Sequence, residues 1–402
     1  MAEGVHNYPF RLPGVLEPPA EWTELRQECP VTSVRLPSGD LAKLVTRYDD
    51  VKRVLADPRF GRRLTADDAA RVTENESGGV FGSELPTEGL DQGPAHQRWR
   101  RLVARSFSAR RIASMRPRIE AMAERLVDDL VAAGPPGDLR SGFAFPLPVW
   151  VICDLLGVPD DERGRLALWS ETLLNMNRYS QAEIDAAQAE FAGYFVRHIR
   201  EKRENPGDDL LSDLIHVVDA GDGRLTEGQL MVTGQGLLVA GHETTSNMIA
   251  KMVAMLLHDR TRWQALLDDP GLVGNAVEEA LRFDANAGFG LPRYLSEEAE
   301  VAGERLPAGT TVVCNTAAAN RDEGVFERAG TMDLSRWPNG HLAFGTGVYS
   351  CLGQALARTE LQTALAVLLR RLPGLALAVP VEEIEPLEGL IVGGLSRLPV
   401  RW

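Results

Sequence analysis

The loop that runs from Phe344 to Gly353 constrains this chain more than any other segment, because it places Cys351 directly before a long helix-forming stretch. Gly345 and Gly347 permit backbone conformations that are closed to other residues, and they let a flat ligand approach the main chain. The helix start presents unpaired N–H groups and a partial positive charge, which favour thiolate by lowering the pKa of the thiol. A lone cysteine is normally an inert core residue. A thiolate cradled by amides, however, is a ligand for iron, and the loop predicts such a site.

The hydrophobic pattern from residue 95 to residue 284 is that of successive helices. Helices are expected at 95–105, 110–132, 145–156, 161–175, 181–204, 208–219, 226–258, 261–268 and 272–284. The β signals are shorter and comprise a hairpin at 31–36 and 41–46 and strands at 299–302, 311–314 and 375–379. The chain is therefore expected to form one mainly α domain, 1–402, with a minor β region.

The longest predicted helix contains the motif Ala240-Gly241-His242-Glu243-Thr244-Thr245. Ala240, Gly241 and Thr244 share a face at three- and four-residue spacing, where small residues would let a flat cofactor lie against the helix. A threonine hydroxyl can bond a backbone carbonyl one turn back, and the acid beside it can relay protons. The alternative is a packed helix with an exposed carboxylate.

Together the two motifs resemble the haem-binding loop and the oxygen-activation helix of the cytochrome P450 family, in the family's order along the chain. The resemblance covers nearly the full length and implies a helical bundle around haem b with a small β-rich region. It implies that Cys351 ligates the iron, that Thr244 hydrogen-bonds the dioxygen at the iron, and that Glu243 delivers protons. Further cofactor-binding positions implied by the motifs are Ala240, Gly241, Phe344, Gly345 and Gly353. Tyr349 departs from the pattern, since a basic residue is usual there.

The resemblance also implies cationic partners for the two haem propionates, because buried carboxylates need them. His96 and Arg100 match the family's His-x-x-x-Arg, and Arg293 matches its propionate arginine. Tyr349 stands at the fourth basic position, where a phenol can donate a hydrogen bond but brings no charge. The usual Asp-Pro-Pro-x-His lead-in is altered at 91–96.

One pair of oppositely charged residues is predicted to have a structural role. Glu279 and Arg282 are three residues apart on one predicted helix, and an exposed pair of this kind would mean little. It resembles the family's Glu-x-x-Arg motif, which pairs with a downstream arginine to brace the haem-side core. Arg336 is the match for that arginine, although Met332 stands where the family more often has Phe.

The formal net charge of −14 disfavours nucleic acid as a partner. Between residues 92 and 119, however, there are eight arginines and no acidic residue. Three of them lie on a different helix face from His96 and Arg100, and they are Arg98, Arg101 and Arg105. This surface suits an acidic ferredoxin, reduced in turn by a ferredoxin reductase from NAD(P)H. A solvated helix face is the ordinary alternative.

The chain is expected to be a cytoplasmic monomer without a membrane segment. Its four cysteines are widely spaced and lack a CxxC pair, which argues against a disulfide framework and a zinc site and favours a reducing cytosol. Residues 1–10 contain neither a basic leader nor an apolar run. The longest apolar stretch, 143–159, is too short and too interrupted to span a bilayer.

The predicted function is a haem-thiolate monooxygenase that oxidises a medium-sized natural product with O2 and ferredoxin electrons. Two alternatives stay open: an oxidative coupling or ring-forming enzyme of the same fold, and a haem sensor without turnover. A sensor would not need Glu243 and Thr244. The expected substrate pocket is lined by Val80, Phe81, Leu85, Asn175, Met176, Val239, Asn286, Phe289, Leu291 and Val392.

Overall fold

The computed structural model describes residues 5–64, 66–73, 90, 93–174, 176–221 and 225–402. The helices in these ranges are α1 (Ala20–Glu28), α2 (Tyr48–Ala56), α3 (Gly93–Val103), α4 (Ala109–Ala133), α5 (Pro146–Leu156), α6 (Arg163–Leu173), α7 (Gln181–Glu204), α8 (Leu210–Asp219), α9 (Glu227–His258), α10 (Arg260–Asp268), α11 (Val273–Phe283), α12 (Thr316–Ala319) and α13 (Gln354–Arg371). None of the helices in the described part of the chain is both long and apolar enough to cross a membrane.

The strands are short and belong to three sheets. They are β1 (His6–Asn7), β2 (Val31–Arg35), β3 (Leu41–Val45), β4 (Phe60–Gly61), β5 (Gly137–Asp138), β6 (Leu291–Leu295), β7 (Ala299–Val301), β8 (Glu304–Leu306), β9 (Thr311–Cys314), β10 (Ala376–Leu377) and β11 (Pro399–Arg401). The largest sheet has the order β1-β2-β3-β9-β6-β4, and the others are β10-β11-β5 and β7-β8. The largest sheet thereby brings β4 and β6 side by side, although they are far apart in the sequence.

Helix α9 is the centre of the helical part. It begins with a capping box, in which Thr226 and Gln229 each accept a hydrogen bond from the other's backbone N–H. Every residue from Thr245 to Leu257 is buried, so the helix needs neighbours on all sides. These neighbours include α5, α6, α7, α8, α10, α11 and α13. Elements from both halves of the chain therefore meet at α9.

The structure confirms the mainly α fold with a minor β region, including the hairpin of β2 and β3, in which Val31 lies opposite Val45. The predicted helices are present with ends that move by a few residues, and α3 ends at Val103 instead of residue 105. Several elements were not predicted. Among them, a π-helical turn at Arg140–Ala144 precedes α5, and β6 supplies an interior strand of the largest sheet.

Candidate active site

The loop before α13 holds Cys351 in a defined backbone setting. The Cys351 N–H donates to the Phe344 carbonyl oxygen at 2.8 Å, which closes the loop. Gly345 and Gly347 have φ angles of 62° and 72°, in the left-handed region that glycine adopts without strain. A side chain at Gly347 would also lie 2.6 Å from the Leu55 carbonyl oxygen. Both conformation and space therefore require glycine here.

Cys351 differs from the buried cysteines in being accessible to a ligand. Cys153 and Cys314 are buried, and burial raises the pKa of both thiols to about 12. Cys351 keeps exposed surface. The predicted lowering of the Cys351 pKa is wrong, because desolvation raises it more than the Gly353 N–H and the nearby arginines lower it. The free thiol is thus protonated near neutral pH, and a bound metal cation is what deprotonates such a group.

One stripe of the otherwise buried helix α9 is accessible. Gly236, Ala240 and Thr244 are exposed at four-residue spacing, while the residues between them are half-buried or buried. A side chain built at Gly236 meets nothing within 4 Å. Thr244 donates its hydroxyl to the Ala240 carbonyl oxygen at 3.0 Å, the bond expected one turn back. Because α13 packs on α9, the Cys351 loop leads directly into a helix that adjoins α9.

Gly241 does not belong to the accessible stripe, and the expectation that it forms part of a cofactor-facing surface is corrected here. A side chain at Gly241 would lie 2.6 Å from Ile152 of α5. The glycine therefore lets α5 and α9 approach each other closely. Gly236, which the sequence analysis did not single out, takes the small-residue position on the stripe instead.

Glu243 is a buried carboxyl beside Thr244. One of its oxygens accepts from Asn247 Nδ2 at 3.3 Å, and the other has no hydrogen-bond partner among the described residues. Burial raises the pKa of Glu243 to about 7, against the opposing charge of Arg140. Its neighbour His242 is also buried, which lowers the His242 pKa to about 4. Of these two, Glu243 is the group that can exchange a proton near neutral pH.

The three cations predicted to bind propionates gather around Tyr349. The ring centroid of His96 lies 4.9 Å from that of Tyr349, and the Arg293 guanidinium lies 5.5 Å from it. Arg100 donates to the carbonyl oxygen of the next residue, Ser350, at 2.7 Å. The Arg293 Nε is buried without a hydrogen-bond partner. Within the described ranges, neither Arg100 nor Arg293 has a carboxylate partner.

A fourth cation, Arg62, was missed by the sequence analysis. Its guanidinium lies 4.8 Å from the centre of the Tyr349 ring, and its Nη2 donates to the Tyr349 carbonyl oxygen at 3.1 Å. Arg62 directly follows β4, whose partner β6 contains Arg293. No local pattern marks this residue, since its position depends on the pairing of two short strands far apart in the sequence.

These residues fit haem b, a flat group with two carboxylates whose iron takes a ligand from the protein. Cys351 offers an accessible sulfur in a desolvated loop. The stripe on α9 is made of small side chains, against which a flat group can lie. The cations near Tyr349 lack carboxylate partners in the described part of the chain, and the two propionates would supply the missing negative charge.

Known proteins resemble this chain over nearly its full length. The cytochrome P450 family model matches residues 264–375. Nocardicin C N-oxygenase from Nocardia uniformis subsp. tsuyamanensis is 43% identical over 399 residues, which are 98% of each chain. The chain belongs to the cytochrome P450 family. Mycinamicin IV hydroxylase/epoxidase from Micromonospora griseorubida is 41% identical over 398 residues, again 98% of each chain.

The cytochrome P450 fold extends over the whole chain. SgvP, a candidate thioether synthase in the tailoring step of griseoviridin, matches with a TM-score of 0.93 and 38% identity, covering 99% of this chain and 100% of its own. This cytochrome P450 is accordingly a haem b monooxygenase of secondary metabolism. It takes O2, a small-molecule substrate and electrons from a redox partner.

The predicted structural charges form a buried network in this P450. Arg282 and Glu279 are fully buried and joined by two hydrogen bonds of 2.8 Å. Arg336 reaches the same carboxylate at 3.1 Å, and Asn339 donates to it at 3.0 Å. Arg282 also donates to three backbone carbonyl oxygens, those of Asn320, Ala329 and Thr331. These contacts tie α11 to the segment that leads into the cysteine loop.

The predicted pocket residues do not all face open space. Val80, Phe81, Leu85 and Asn175 lie outside the described residues. Asn286 is buried and donates to the Gly394 carbonyl oxygen, and Phe289 is 1% exposed against Tyr8, so neither lines a pocket in this structure. Met176 and Val239 are also buried. Leu291 and Val392 keep accessible surface, and a side chain built at Gly345 would lie 3.5 Å from Leu291.

Proposed function

We propose that this cytochrome P450 hydroxylates or epoxidises a medium-sized natural product, with O2 and with electrons from a ferredoxin and its reductase. The observation that carries the proposal is the accessible thiol of Cys351, directly before a helix that packs on α9, together with the exposed stripe of α9 that ends at Thr244 beside the buried Glu243. The haem, once ligated by a thiolate, supplies the oxidising chemistry. The protein supplies the sulfur ligand, the proton path and the orientation of the substrate.

Glu243 and Thr244 form the proposed proton path. The carboxyl of Glu243, with a pKa raised to about 7, is partly protonated at neutral pH and can both take up and release a proton there. The Thr244 hydroxyl is exposed on the stripe and anchored to the Ala240 carbonyl oxygen, so it presents its own lone pairs to the open side. Proton passage from a buried acid to an exposed hydroxyl fits an oxidase better than a sensor without turnover.

The cofactor contacts are proposed from the same geometry. Cys351 would ligate the iron, and the backbone of Phe344, Gly345 and Gly353 would hold the sulfur in place. His96, Arg100 and Arg293 would face the propionates. Because elements from both halves of the chain pack on α9, we also propose that 1–402 acts as one domain.

The surface for electron delivery is proposed at the exposed arginines of α3 and the turn after it. Arg98, Arg101 and Arg105 are exposed and have no acidic partner among the described residues, whereas Arg111 and Arg118 pair with Asp208 and Asp154. Arg100, on the same helix, contacts the cysteine loop instead. The helix therefore joins a free basic surface to the proposed haem site.

The relatives support a natural-product substrate. The names of two of them specify a nocardicin N-oxygenase and a mycinamicin hydroxylase/epoxidase. Leu291 and Val392 are the predicted pocket residues with accessible apolar surface in this structure. A panel of natural products, scored by the shift of the Soret band, identifies ligands. Product analysis under labelled dioxygen then tests oxygen insertion, and ligands that yield no labelled product contradict the proposal.

Oxidative bond formation without oxygen insertion is the second candidate. It is favoured by the match to SgvP, a candidate thioether synthase, over 99% of this chain. The same labelled-dioxygen experiment separates the two functions. A coupled or cyclised product without the label would support the second candidate.

A further inference from the structure

The loop position where the P450 pattern has a basic residue is occupied by Tyr349, a neutral side chain. Tyr349 is buried at 9% exposure, and two arginines stack on its ring. Arg62 is the closer of them, at 4.8 Å against 5.5 Å for Arg293. Arg62 also donates to the Tyr349 carbonyl oxygen at 3.1 Å. Residue 349 itself carries no positive charge, but the guanidinium of Arg62, directly after β4, lies 4.8 Å from the centre of its ring.

Strand pairing places Arg62 against another cation. In the antiparallel ladder of β4 and β6, Phe60 lies opposite Leu295 and Gly61 opposite Tyr294. The same register continued by one residue sets Arg62 opposite Arg293. Like charges that face each other across a strand pair destabilise it. An anion shared between the two guanidinium groups would offset this repulsion.

No such anion comes from the described side chains. Burial, together with the positive charges of Arg293 and Arg100, lowers the pKa of Arg62 to about 10. The groups that act in the other direction are Tyr349 and Cys351, and neither is a carboxylate. In the described ranges Arg62 makes no ion pair, whereas the nearby Arg59 pairs with Asp57.

We propose that Arg62 binds a haem propionate and replaces the basic residue that Tyr349 has displaced from the cysteine loop. Arg62 and Arg293 would hold one carboxylate between them, with the Tyr349 ring as the platform on which both guanidinium groups lie. An arginine suits this role because its planar fork can give a carboxylate two parallel hydrogen bonds and also stack on an aromatic ring.

The test is the rate at which the holoenzyme loses haem to an excess of apomyoglobin. Arg62→Gln should raise this rate on the order of tenfold or more, the usual effect of losing a hydrogen bond to a charged group. The matched control is Arg63→Gln, because Arg63 is the next residue in sequence, is exposed like Arg62, and makes no hydrogen bond or ring contact with Tyr349 or Arg293 within the described ranges. Haem loss from this control should equal that of the wild type.

A variant that places a basic side chain at residue 349 distinguishes propionate binding by Arg62 from a merely structural role. In the double variant Arg62→Gln/Tyr349→His, the new imidazole should restore haem retention, and the propionate bending band in resonance Raman spectra should return towards its wild-type position. Tyr349→His alone should change haem loss little. Wild-type retention in Arg62→Gln would overturn the proposal. So would an increased loss that Tyr349→His does not reverse, since Arg62 would then act only by holding the loop backbone.

Discussion

Glu243→Gln should remove a pH-dependent destabilisation that the wild-type enzyme carries in its core. The Glu243 side chain is 1% exposed, and burial raises its pKa from 4.5 to about 7. The folded state therefore keeps the proton up to about pH 7, whereas the unfolded chain releases it near pH 4.5. The contribution of Glu243 to the free energy of unfolding is fully present below the pKa of the unfolded chain. It is lost as the pH rises through the pKa of the folded state.

The size of the effect follows from the two pKa values. At about 1.4 kcal/mol per pKa unit, the wild type should lose roughly 2 to 3 kcal/mol relative to Glu243→Gln between pH 5 and pH 8. For a chain of 402 residues with an unfolding entropy of about 2.1 cal/mol/K per residue, the difference in melting temperature between the wild type and Glu243→Gln should change by about 3 °C over this pH range. Thermal melts of both proteins across this pH range measure it.

A second readout ties the proton to catalysis. In the wild type, product formed per NAD(P)H consumed should fall as the pH rises above about 7, because the protonated fraction of Glu243 falls. In Glu243→Gln the ratio should be low and independent of pH. Glu360→Gln is the matched control, because burial also raises the pKa of Glu360. It should alter the melting profile and leave the coupling profile unchanged. Parallel melting curves for wild type and Glu243→Gln would refute the reasoning.

Three further predictions test separate parts of the structure. Thr244→Ala should leave the haem spectrum intact and release more peroxide per NAD(P)H, because the exposed hydroxyl on α9 is lost; unchanged coupling would place the proton path elsewhere. Gly241→Ala should destabilise the fold by about 1 to 3 kcal/mol through its contact with Ile152, whereas Gly236→Ala, in open space on the same helix, should be neutral or slightly stabilising; equal melting temperatures would contradict this. Replacing the three exposed arginines by glutamine should raise the apparent KM for ferredoxin and flatten its dependence on salt, while substrate affinity stays constant; unchanged ferredoxin kinetics would mean that the redox partner docks elsewhere. These arginines are Arg98, Arg101 and Arg105.

Local patterns were sufficient for the helices and for the hairpin of β2 and β3. Periodicity, capping and turn residues act over a few positions, so α9 could be predicted almost to its ends. Strand β10 was predicted within 375–379, but β5, β6 and β11 were missed because their partners are far away in the chain. The register of such strands is set by tertiary packing and leaves little trace in any one segment.

The same division holds in the proposed site. The glycines of the cysteine loop and the bond from Thr244 to Ala240 are local, and the sequence predicted them. Arg62 depends on the pairing of β4 with β6, and no local signal marks it. Gly241 was predicted to lie on the cofactor-facing stripe, where Gly236 lies instead, because glycines on one helix differ only in what packs against them. The pKa of Cys351 was predicted in the wrong direction, since burial is a tertiary property.

The central claim is that Cys351 binds the haem iron as a thiolate, and the spectrum of the ferrous carbon monoxide complex tests it most directly. The wild type should give the strongly red-shifted Soret band that a thiolate ligand produces. Cys351→Ser should abolish this band, while Cys29→Ser should keep it. Cys29 is a half-buried thiol that donates a hydrogen bond to the Val31 carbonyl oxygen. A red-shifted band that persists in Cys351→Ser would show that another residue ligates the iron, and it would contradict the account.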